Sequence, residues 1–242
     1  MADDDDLGRA VGQLAGGRAD RGALSQVARL ARSSMKAAGA RSVATGRWLA
    51  DILVDAAPHI PVRDVATLHA HYPGLKGDQL ADELIRAASR ATAAIGAVAG
   101  AVAGAEELAP PTWLAIPGEL LVETLAVVAV ELKLVAELQE AYGQPVSGSP
   151  TQKSLAIIRA WAEGRGVTAR TLAEPGGLSS AFGRTTRREL TRLLQRRLAR
   201  RALRNASALS PFLTGAVAGA ELNRRATRTL GDKVARDLVS RA

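Results

Sequence analysis

Apolar residues recur at three- and four-residue spacing along most of this chain, which is the period of helices packed by one face. The pattern predicts a helix from about Ala23 to Ala57, broken near Gly39 or Gly46 and ended by Pro58 and Pro61. Its first part, ALSQVARLARSSMK, is basic and amphipathic. One or two helical turns follow over Asp64–His71, then a loop, HYPGLKGDQL, with Asp78 as candidate N-cap of the next helix. That helix runs from about Gln79 to Leu108 and holds no charge from Ala91 to Ala105. After the Pro-rich turn APPTWLAIPGE, a helix over Glu119–Tyr142 ends at Gly143, the usual C-terminal glycine position. These two long helices are expected to pair as an antiparallel hairpin.

Beyond them, residues 144–151 (QPVSGSPT) read as a linker, Gln152–Gly164 as a short helix and 164–183 as loop. A very basic helix covers Thr185–Ala206, and a last one runs from Pro211 to Arg241. The opening residues 1–22, with four consecutive Asp and the Gly-rich LAGGRADRG, read as a disordered acidic tail. The expected architecture is therefore all-α: a compact multi-helix bundle with a long Gly/Ala-rich hairpin, residues 23–242 forming a single helical domain. Composition agrees. Hydrophobic residues make up 47% and aromatics 3% of the 242 residues, so the core is built from Leu, Val and Ala, which suits close-packed helices better than strands.

The mean charge of +8 hides a polarity. Residues 1–149 carry 13 basic and 18 acidic side chains; residues 150–242 carry 19 basic and 6 acidic. The basic part calls for an anionic partner: lipid, an acidic protein surface, a second copy of the chain, or nucleic acid. Nine arginines lie between Arg184 and Arg204, beside the apolar stripe Leu190, Leu193, Leu194 and Leu198. Arg187, Arg188, Arg192, Arg196 and Arg200 are the candidate membrane or acidic-partner surface. The helix has no aromatic on which a base could stack, which disfavours nucleic acid. A solvated face remains the bland alternative.

Gly96, Gly100 and Gly104 share one helix face, and each costs about 1 kcal/mol against Ala, so through this face the helix is expected to pack tightly on the 119–142 helix. Gly215 and Gly219 likewise suggest a close helix contact, and the heptapeptide GAVAGAE occurs at both 100–106 and 215–221. At fifteen residues the uncharged run is shorter than the about 20 needed to span a bilayer. A buried core hairpin is the expected reading, with shallow interfacial insertion as the alternative. On the 119–142 helix, Glu119, Glu123, Lys133, Glu137 and Glu140 read as an ordinary solvated stripe. Glu131 falls in the opposite, apolar arc among Val127, Val128, Leu134 and Val135. It is expected to be buried and paired with a cation of the second half, Arg197, Arg201, Arg224 or Arg225. Asn223 is the second buried polar candidate.

The sequence offers no nucleophile elbow, Walker loop or dinucleotide glycine pattern, and the three histidines lack a convincing ligand spacing. No catalytic residue, cofactor or metal is assigned. With no Cys, no basic leader and an acidic start, a cytoplasmic setting is expected, peripheral at the inner membrane face if lipid is the partner.

Two stretches resemble the EcsC family of bacterial proteins. One is GAVAGAVAGAEELAPPTWLAIPGELLVETLAVVAVELKLVAELQEAYG. The other is PFLTGAVAGAELNRRATRTLGDKVARDL, with Pro211, Asn223 and the Leu230–Gly231 pair. Together they cover roughly a third of the chain; residues 1–60 and the arginine-rich helix fall outside. The resemblance implies a helical bacterial protein associated with the cytoplasmic membrane face and without established enzymatic activity. It carries over no catalytic residues. The alternative is a soluble protein–protein interaction module that self-associates.

Overall fold

The computed structural model describes residues 2–16, 21–39, 42–43, 47–105, 118–166, 191–192, 194–195 and 212–241. Among these the protein is all-α, without a strand. The helices are α1 (Ala2–Ala15), α2 (Arg21–Ala38), α3 (Arg47–Ala56), α4 (Val65–His71), α5 (Gly77–Ala105), α6 (Gly118–Ala141), α7 (Pro150–Gly164) and α8 (Phe212–Val239). A 3-10 turn, Ala57–His59, follows α3.

The ends obey local chemistry. Gly39, at φ +82°, closes α2, and Asp64 caps α4 by accepting from the Thr67 amide. At the end of α6, Gly143 adopts φ +68°; its amide bonds Glu140 and the Gln144 amide bonds Gln139, the 5→2 and 6→1 pair of a Schellman motif. Helix α7 opens with Pro150 and a reciprocal Ser149–Gln152 capping box. Asp78 lies inside the first turn of α5, one residue past its start, and not at the N-cap.

The centre of the molecule is α6, which touches all of the other α-helices described. From Leu120 to Leu138 only Lys133 escapes full burial. This corrects the expected solvated stripe: Glu123 and Glu137 are buried, and Glu140 is half-buried. A wheel shows a helix's own polarity. It cannot show that neighbours surround it and pair its charges.

The amino-terminal segment corrects a second expectation. Residues 2–15 are helical, with Leu7, Ala10, Val11, Leu14 and Ala15 in the core. The Asp run sits at the helix N-terminus, where the helix dipole favours negative charge. Gly8, Gly12 and Gly16 repeat every four residues and lie against residues 55–61; a Cβ on Gly12 would stand 2.7 Å from the His59 carbonyl oxygen. Ser34 donates to Asp4 at 2.5 Å and accepts from the Trp48 indole at 2.8 Å, tying α1, α2 and α3 together.

The close glycine contact of α5 is the third correction. The Gly96 face packs on α8 and not on α6: a Cβ on Gly96 would meet the Gly219 carbonyl oxygen and the Asn223 amide nitrogen, each at 2.6 Å. Thr92 bonds Thr227, and Gly231 seats Ile85, so α5 and α8 run antiparallel. Gly100 and Gly215 lie in stretches of α5 and α8 whose side-chain surroundings are not described. Gly104 lies in the last turn of α5, in a stretch whose side-chain surroundings are not described.

Candidate functional site

Three carboxylates on α6 enter the core, and each is met by partners from elsewhere. Glu131, fully buried, accepts from Trp161 Nε1 of α7 at 2.9 Å, from Thr227 Oγ1 of α8 at 3.0 Å, and from the Arg165 guanidinium just past α7. Thr227 in turn accepts from Thr92 at 3.0 Å. One turn earlier on α8, Asn223 donates to Glu123 at 2.8 Å and to the Thr92 carbonyl at 3.2 Å. The spacing Asn223–Thr227 puts both polar groups on the same inner face of α8, aimed at Glu123 and Glu131.

Arg165 is the cation that the described residues bring to Glu131. Arg224 and Arg225 point outward and pair with Glu221 instead. Arg197 and Arg201 lie outside the described residues. Neither Trp161 nor Arg165 was singled out from the sequence. Their signal was present, since Trp161 is the one indole of α7 and Arg165 follows it by a helical turn.

The third carboxylate, Glu137, holds the loop before α4. Arg63 grips it in fork fashion, Nε to Oε1 at 2.8 Å and Nη2 to Oε2 at 2.7 Å, and Lys133 adds an ion pair at 2.8 Å. Burial pushes this carboxyl up, but the Arg63 hydrogen bond and the Lys133 charge outweigh it, and the net shift is below the usual glutamate range. Arg63 also stacks over Tyr72 at 5.6 Å. These carboxylates are engaged by donors and cations, an arrangement that fixes helix register.

Among the described residues no group of three His, Cys, Asp or Glu side chains could hold a metal. His59, His69 and His71 are all exposed. An open cleft of about 400 Å³ lies between the 57–64 segment, α6 and the start of α7; Ile60, Val62 and Ile157 line it, with Asp64, Glu140 and Lys153 as its charges.

The surface carries a second arrangement. In the antiparallel register of α5 and α8, Arg90 lies level with Arg225. Arg86, Arg90, Arg224, Arg225 and Arg228 therefore form one exposed belt, although 134 positions separate Arg90 from Arg224. Within residues 83–90 of α5 and 221–228 of α8 the acids are Glu83 and Glu221. Glu83 pairs with Arg86 and Arg90; Glu221 pairs with Arg224 and Arg225, whose hydrogen bonds hold its carboxyl down to about 2. Five arginines against two glutamates leave the belt positive. Of the arginines singled out in sequence, Arg192 is helical and exposed. Arg187, Arg188, Arg196 and Arg200 lie outside the described residues. No helix among the described residues is long and apolar enough to cross a membrane.

No family model, curated protein or solved structure matches the chain.

Proposed function

We propose that this chain is a non-enzymatic, EcsC-like helical protein that binds an anionic surface at the cytoplasmic face of a membrane. The observation that carries the reading is the arginine belt on α5 and α8. Four of its side chains remain 47–77% exposed even while paired, so they are available to phosphate groups. The basic excess after residue 150, with Arg192 exposed, adds to the same attraction.

Co-sedimentation with vesicles tests it. Vesicles containing phosphatidylglycerol should retain the protein at low salt and release it as salt rises, because the contact is between solvent-exposed charges. Replacing Arg90, Arg225 and Arg228 together by Gln should weaken retention, as should the triple change of Arg192, Arg196 and Arg200. Equal binding to vesicles of neutral lipid would overturn the reading.

One observation favours a second reading, a protein–protein module that self-associates. Val62, in the wall of the cleft beside α7, is exposed, and so is Val65 at the start of α4. Under that reading the protein sediments as an oligomer, and Val62→Asp returns it to monomer.

A further inference from the structure

We propose that the cleft between the 57–64 segment, α6 and the start of α7 binds a small zwitterion with an apolar side group, the chemistry of a free α-amino acid with a large aliphatic or aromatic side chain. The proposal goes beyond the membrane-surface reading and does not depend on it.

Register sets the order of side chains along this cleft. Glu131 of α6 meets Trp161 of α7, and the two helices are antiparallel, being joined by the short connection 142–149. Glu140 stands nine residues on from Glu131 and Lys153 eight before Trp161, so these two charges line the cleft at one level. Ala136 and Ile157 line it about one turn further in. On the third side, Pro61 accepts from Lys133 and Arg63 grips Glu137, so the segment before α4 follows α6 and brings Asp64 level with Glu140. Ile60 lies toward the other end and is nearly buried. The cleft therefore has a charged end, with Asp64, Glu140 and Lys153, and an apolar end, with Ile60, Ala136 and Ile157.

The charges say what fits. Glu123, Glu131 and Glu137 are each met by donors from other elements. Glu140 is half-buried and makes no ion pair or side-chain hydrogen bond with any described residue. Lys153, in the wall of the same cleft, makes none either. Opposite charges that share a cleft without meeting leave room for a molecule that carries both. Its ammonium goes to Glu140, with Asp64 adding negative charge, and its carboxylate goes to Lys153 beside the positive end of the α7 dipole. A simple cation leaves Lys153 unanswered, and a simple carboxylate leaves Glu140 so. The apolar end calls for a side group that covers Ile60 and Ile157, and a cleft of about 400 Å³ is of the size of small-molecule sites.

Calorimetry and saturation-transfer NMR on the full-length protein, with leucine and phenylalanine at millimolar concentration, test the proposal. Both should bind. Glycine, leucinamide and N-acetylleucine, which lack in turn the side group, the carboxylate and the ammonium, should bind at least about tenfold more weakly. Glu140→Gln and Lys153→Met should each weaken leucine binding by about tenfold or more. Neither should move the urea midpoint of the free protein, because neither group has a partner among the described residues to lose. Retention of Glu140→Gln on phosphatidylglycerol vesicles should match the parent, so failure of this site and failure of the membrane reading are told apart. Absence of leucine binding, or binding that both variants leave undiminished, overturns the proposal. Leucinamide binding as tightly as leucine also overturns it and makes the cleft a site for cations. If leucine does not bind and the protein sediments as an oligomer that Val62→Asp dissociates, the cleft belongs to a second copy of the chain.

Discussion

Gly96 of α5 faces Gly219 of α8 so closely that a single added Cβ would stand 2.6 Å from the Gly219 carbonyl oxygen. The obstacle is largely backbone, which cannot swing aside as a side chain can. Gly96→Ala should therefore destabilise by about 1–3 kcal/mol, and Gly96→Leu by more, through overpacking. Ala94→Leu, on the exposed side of the same helix, should stay within about 0.5 kcal/mol of the parent. Chemical denaturation of the three variants checks the contrast.

Glu131 and Arg165 should behave as a coupled pair. Glu131→Gln leaves the guanidinium, 18% exposed, without its charge partner. A loss of about 3 kcal/mol is expected, the low end for a broken buried pair because Arg165 keeps some solvent. Arg165→Met should cost a similar amount. The double variant should be more stable than the sum of the two losses implies, by about 1–3 kcal/mol. Strict additivity would show that the two groups act independently.

Glu137 should make the fold acid-sensitive. Its carboxyl is held below the unfolded value of 4.5, so the charged form is favoured in the folded state. The resulting stability is present above that value and is lost as pH falls through the lower, folded one. Urea midpoints measured at about pH 7 and about pH 3.5 should differ more for the parent than for Glu137→Gln, which has no such proton to take up.

The α1 helix should be required for full stability. Leu7 is fully buried, so Leu7→Ala should cost about 2–5 kcal/mol, or roughly 5–15 °C in melting temperature for a chain of this size. Deleting residues 2–15 should cost more still, because it uncovers the faces of α3 and α6 on which Leu7, Val11 and Leu14 rest. A deletion that melts with the parent would return these residues to the status of a tail.

The all-α class, the long helices around 77–105, 118–141 and 212–239, and the punctuation at Gly39, Pro58 and Gly143 were legible in the sequence. They follow from local causes: the spacing of apolar residues, proline's missing donor, and glycine's access to positive φ. The same signals were available at the amino terminus, in the Leu7–Val11–Leu14 stripe and the Gly8–Gly12–Gly16 spacing. There the four aspartates mimic the composition of a disordered tail, although at the start of a helix they complement its dipole.

What only the tertiary structure decided is which faces meet. Sequence placed Glu131 in an apolar arc, but Arg165, Trp161 and Thr227 come to it from two other helices, and no periodicity within α6 encodes them. Sequence also put Gly96 on a contact face, yet the chain neighbour α6 was the natural guess and the distant α8 is the partner. Glu123 and Glu137 were read as solvated because a helical wheel treats the polar side of a helix as its wet side. At the centre of a bundle no wet side exists, and a charge there persists only because residues remote in sequence arrive to hold it.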